Sequence, residues 1–121
     1  MNDRTFQSRV REWFIACFPV SAHSDVEERA HRFLEESLEL VQASGCTKED
    51  ALALVEYVFS RPEGELFQEA GGALVTLAAL TSTLAIDLET AGESELRRNW
   101  SRIDRIREKQ ASKPHGTALP Q

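Results

Sequence analysis

Apolar residues recur at three- and four-residue spacing through most of this chain, and no segment alternates cleanly with period two. That pattern predicts helices and no strands. Phe6, Val10, Trp13, Phe14 and Cys17 form the apolar face of a first helix over residues 3–17, with Asp3 as its cap and Pro19 ending it. A second helix is expected over 25–44. Ser24-Asp25-Val26-Glu27 has the form of a capping box, and Gly45 suits the residue just past the last turn. A third is expected over 48–60, started by Thr47 with Asp50 and stopped by Arg61-Pro62. The fourth, over 65–86, is apolar nearly all round after Ala70, which predicts a central position. Gly71-Gly72 inside it costs roughly 1 kcal/mol per glycine relative to alanine. A cost of that kind points to close approach of another backbone or a ligand. The fifth helix is expected over 93–111, with Leu96, Trp100, Ile103 and Ile106 on one face. Residues 113–121, with Pro114, Gly116 and Pro120, read as a frayed tail. The expected fold is all-α: a four- to five-helix bundle in a single domain over residues 1–112, then a flexible tail over 113–121.

The second helix carries an unusual acidic run, Arg32-Phe33-Leu34-Glu35-Glu36-Ser37-Leu38-Glu39-Leu40-Val41. With Glu35 at the origin of a wheel of about 100° per residue, Glu39 falls near ~40° and Glu36 near ~100°. The apolar residues from Val26 to Val41 fall between about 140° and 300°. Three carboxylates therefore share one sector beside the apolar face. Glu35 and Glu39 are a like-charge i,i+4 pair, which costs an isolated helix about 0.2–0.5 kcal/mol. A divalent cation with oxygen ligands would remove that cost. A solvated acidic face, with Arg32 and His31 partly neutralising Glu35, accounts for the same pattern.

A second acidic element, Glu65-Leu66-Phe67-Gln68-Glu69, opens the fourth helix. If helices two and four pack antiparallel, Glu69 can face Glu35, Glu36 and Glu39. Carboxylates converging in a bundle core are the general recipe for a di-metal site. Oxygen-only donors favour Mg²⁺ or Mn²⁺ over zinc or copper. Glutamates in a first helical turn are also favoured by the helix dipole, without any metal.

Composition narrows the field. The chain has 121 residues, 41% of them hydrophobic, enough for one packed core. No run approaches the roughly 20 apolar residues of a membrane span. Met1-Asn2-Asp3-Arg4 lacks the apolar core of a secretion signal. Cys17 and Cys46 show neither metal spacing nor a disulfide framework, so a reducing, cytoplasmic setting is expected. The net charge of -6 is unevenly spread. Residues 1–96 hold 18 acidic and 7 basic groups, and residues 97–121 hold 2 and 7. An acidic body does not suit nonspecific nucleic-acid binding. The arginines of 97–107 are dense enough to raise that option, but Trp100 and Ile103 imply a buried side to the same helix. Neither a membrane nor a nucleic acid is an expected partner. An acidic centre with a basic end suits a cation-bound phosphate ligand, and it also suits simple pairing of tail with body.

Glu35-Glu36-x-x-Glu39, followed thirty residues later by Glu69 on an apolar helix, resembles the all-α NTP pyrophosphohydrolase (MazG-like) superfamily, its small phage-type members in particular. The family pattern is E-E-x-x-E on one helix and E-x-x-D on a later one. The resemblance covers roughly residues 25–110. It implies that Glu35, Glu36, Glu39 and Glu69 bind Mg²⁺ or Mn²⁺, with Glu35 and Glu36 catalytic and Glu35 a ligand or the base that orients water. It implies cleavage of a nucleoside triphosphate, guanine nucleotides first among the candidates, to the monophosphate and pyrophosphate. Asn99, Arg102 and Arg105, in Asn99-Trp100-Ser101-Arg102-Ile103-Asp104-Arg105, look like the family's phosphate-contacting segment. A homodimer or homotetramer is implied as well, and the long apolar fourth helix, which five short helices can hardly cover, agrees. The sequence departs from the pattern at Gly72, where the family has aspartate. A catalytically inactive helical scaffold on the same fold is therefore the alternative. Phe6, Trp13, Phe14 and Trp100 could stack on a base, although their spacing fits a buried stripe.

Overall fold

Thr5 sets the first helix: its hydroxyl accepts from the Ser8 N–H at 3.1 Å, and α1 runs Phe6–Cys17. A computed structural model describes residues 4–112 and 118–119. Asp3, the expected cap, and most of the expected tail lie outside the described residues. Phe18 and Pro19 leave helical geometry and lead into a short 3₁₀ turn, Val20–Ala22. Asp25 then caps α2, Val26–Ala43, by accepting from the Glu28 N–H at 3.1 Å. Gly45, at φ +101°, turns the chain in the left-handed region that glycine enters freely. Thr47 accepts from the Asp50 N–H to start α3, Lys48–Phe59. Glu65 accepts from the Gln68 N–H at 2.8 Å to start α4, Leu66–Thr83. Ala85, at φ 58°, follows α4. Asp87 accepts from both the N–H and the hydroxyl of Thr90 and caps α5, Leu88–Ser101. The last helix, α6, spans Ile103–Ser112.

The chain is all-α, as its periodicity predicts: six α-helices and one 3₁₀ turn, with no strand among the described residues. The single helix expected over 93–111 is two helices. Arg102 leaves helical geometry at φ -116°, ψ 19°, its N–H bonding to the Asn99 carbonyl, and the Ser101 hydroxyl takes the Arg98 carbonyl at 2.7 Å. A serine bonding back to its own helix competes with the backbone ladder at that turn. No single described helix is long and apolar enough to cross a membrane.

By packing, the chain divides into two compact units, Met1–Glu28 with Thr81–Gln121, and Arg29–Leu80. In the first unit α1 packs on α5 and α6. Cys17, Ala22, Thr81 and Leu96 are buried there. The Phe18 ring meets Trp13 edge-on and Phe14 at 5.0 Å between centroids, and Phe14 also meets His23. Gly92 lets α5 approach α1 closely, since a Cβ there would fall 3.0 Å from the Phe6 ring. Arg107 reaches across to donate to the Ala16 carbonyl.

The second unit is built differently. It holds α3 and most of α2 and α4, every residue of it is described, and not one is buried. Phe59, Leu66 and Phe67 are each more than four-fifths exposed. The apolar fourth helix is not central within its own unit.

Candidate functional site

Glu35, Glu36 and Glu39 sit on an uninterrupted stretch of α2, so the sector geometry read from the sequence holds along that helix. Glu35 is half-buried and accepts from Arg32 Nη1 at 2.9 Å, one turn back. Glu36 and Glu39 are exposed. Glu69 lies in the first turn of α4, exposed, with its carboxylate folded over Gly64. The fit there is tight: a Cβ on Gly64 would come within 2.8 Å of Glu69 Oε2. Glu65 spends its carboxylate on capping α4. Gly72, at the position where an E-x-x-D aspartate would stand, is exposed on the next turn, and a Cβ there would meet nothing within 4 Å.

All four predicted acidic ligands belong to the Arg29–Leu80 unit. Among the described residues of one chain, no three His, Cys, Asp or Glu side chains gather as a metal cage. Antiparallel docking of α2 on α4, expected to bring Glu69 to the α2 glutamates, is not among the close helix pairings of the single chain. The donor chemistry itself, carboxylate oxygens in adjacent turns, matches a hard divalent cation.

Asn99, Arg102 and Arg105 belong to the other unit. Asn99 is half-buried near the end of α5, Arg102 occupies the break between α5 and α6, and Arg105 is exposed on α6. The break changes their relation. On one continuous helix Asn99 and Arg102 would share a face, whereas here they flank a turn.

A second feature of that unit escapes sequence reasoning. An open cavity of about 360 Å³ is lined by Arg4, Arg9, Glu12, Glu93, Arg97 and Trp100, over a floor at Leu96. Arg9 donates to both Glu93 oxygens, at 2.7 and 2.5 Å, and Arg4 pairs with Glu12. The hydrogen bond from Arg9 is the main force holding the Glu93 carboxyl below its ordinary range; desolvation pushes it back up, and the charges of Arg9 and Arg97 add a further downward pull. The same pair raises Arg9. The Arg9–Glu93 partners are 84 positions apart and carry no sequence signal. The shared apolar face of Leu96 and Trp100 marks only the floor and one wall.

Compared with known proteins, the chain matches no family profile, no curated protein and no solved structure.

Proposed function

We propose that this protein is a Mg²⁺- or Mn²⁺-dependent nucleoside triphosphate pyrophosphohydrolase, converting a (d)NTP to (d)NMP and pyrophosphate, with dGTP and GTP the first substrates to try. The observation that carries the proposal is the Glu35-Glu36-x-x-Glu39 run on one unbroken helix, with Glu69 opening a second. Glu35 and Glu39 are like charges one helical turn apart, and a bound cation would relieve that repulsion. Glu36, Glu39 and Glu69 are the proposed ligands. Glu35 either joins them or takes the proton from water as its oxygen bonds to the α-phosphorus and the α–β bridging bond breaks. Arg32, one turn back, holds Glu35 in place through a hydrogen bond of 2.9 Å. Bound Mg²⁺ would supply the charge that phosphate oxygens need in the transition state. The assignment of Asn99, Arg102 and Arg105 to the phosphates, and of the reaction itself, rests on the resemblance to the MazG-like superfamily.

Pyrophosphate release is the test, measured with Mg²⁺ across the eight common nucleotides and deoxynucleotides. Turnover is expected on at least one, with Glu36→Gln and Glu39→Gln each lowering kcat at least 100-fold. No turnover on any of them would remove the proposal.

Gly72 favours a second reading, a helical scaffold without catalysis. It predicts the same fold and no response to divalent cations.

A further inference from the structure

We infer that the cavity over Leu96 binds a small organic acid, a flat ring carrying a single carboxylate. The inference concerns the unit of α1, α5 and α6 and does not depend on hydrolysis by the α2 and α4 glutamates. About 360 Å³ lies open there, at the small end of the roughly 300–1,000 Å³ typical of ligand clefts. Three arginines and two glutamates line it, which leaves one positive charge in excess. That excess belongs to Arg97. Arg9 donates to both oxygens of Glu93, and Arg4 pairs with Glu12. Arg97 acts on Glu93 through charge, and no hydrogen bond holds its guanidinium among the described residues. Trp100 stands one turn further along α5, 40% exposed, and its ring stacks on no other among the described residues.

Each of these two groups suits a different part of one molecule. A guanidinium presents parallel N–H donors that match the two oxygens of a carboxylate. An indole face accepts a flat ring in offset stacking. Arg97 and Trp100 are i,i+3 neighbours, so their side chains lie beside one another on the helix surface. Leu96, buried, closes the cavity from below with an apolar surface. The balance of charge also sets the charge of the ligand. Both Glu93 oxygens are bonded to Arg9, and Glu12 stands exposed on the rim. A second negative charge on the ligand would therefore face these carboxylates after Arg97 is taken. A phosphate monoester, close to doubly charged at neutral pH, fits such a lining less well than a carboxylate.

Titration of the full chain with phenylacetate, without metal or nucleotide, tests the site by calorimetry and by the shift of the Trp100 indole N–H resonance, assigned with Trp100→Phe. Saturable binding of one molecule per chain is expected, with a Kd of about 1 mM or below. Acetate, which lacks the ring, and phenylacetamide, which lacks the charge, should each bind at least tenfold more weakly. Arg97→Gln should weaken binding at least tenfold and change the melting temperature little, since that side chain is exposed. Glu12→Gln should tighten binding, because it takes a repelling carboxylate off the rim, and a damaged fold would not produce a gain. No saturable binding up to about 10 mM overturns the inference. So does equal binding by wild type and Arg97→Gln. Tighter binding of guanosine monophosphate or inorganic phosphate than of phenylacetate overturns it too, and would assign the cavity to a phosphate ligand. Because no Mg²⁺ is present, failure here is separate from failure of the hydrolase proposal.

Discussion

Glu93 shows how a single contact writes itself into the pH dependence of stability. Arg9 holds its folded carboxyl below the ordinary value of 4.5, chiefly by hydrogen bonding. A depressed carboxyl contributes stability above its unfolded value, and the contribution is lost as pH falls through the folded one. Melting temperature followed from pH 6 to pH 3 should therefore drop below about pH 4.5, and Glu93→Gln should flatten part of that drop. An unchanged, wild-type slope in the Glu93→Gln variant would mean that the pair is absent in solution. At the same scale, Glu35 and Arg32 show what the sequence made legible. An arginine one turn before a glutamate is a neighbour on any helix, so their pairing follows from spacing alone. Arg9 and Glu93 meet only because α1 and α5 pack, and spacing is silent about that.

Elements were read from the chain where local chemistry decides them. Thr47 with Asp50, Gly45 and Pro62 mark helix ends through hydrogen-bonding side chains or restricted dihedrals, and each stands where its helix begins or stops, whereas the capping box expected at Ser24–Glu27 is displaced by one residue, since Asp25 caps α2 and accepts from the Glu28 N–H. The α5–α6 break was not legible. Leu96, Trp100, Ile103 and Ile106 continue one helical period straight across it, and no proline or glycine interrupts them. The first cap shows the same limit on a small scale, since Asp3 and Thr5 are both good caps and only the observed Thr5–Ser8 bond chooses. Thr5→Ala should cost about 1 kcal/mol by urea denaturation. Gly45→Ala should cost about 1–2 kcal/mol, because an alanine at φ +101° is strained whatever room surrounds it. Losses near zero for both would mean that these ends fray without consequence.

For the whole molecule, periodicity reveals which side of each helix is apolar but not which chain covers it. That is why α4, expected to be central, has no buried residue within its own unit. It is also why the acidic motif was legible and its closure was not: Glu69 and the α2 glutamates lie on helices whose apolar faces stand open. If packing between copies brings these faces together, cation binding and association are linked. Saturating Mg²⁺ at 100 times its Kd should then stabilise the folded state by about 2.7 kcal/mol, seen as a rise in Tm that EDTA reverses. An inactive scaffold would melt at the same temperature with and without the cation.

The most direct measurement is Mn²⁺ binding to the assembled protein, followed by the loss of the free-ion electron paramagnetic resonance signal. Saturable binding of one or two ions per chain is predicted, abolished or weakened at least tenfold in Glu36→Gln, Glu39→Gln and Glu69→Gln alike. No saturable binding, or equal binding by wild type and all three variants, would contradict a metal centre built from α2 and α4.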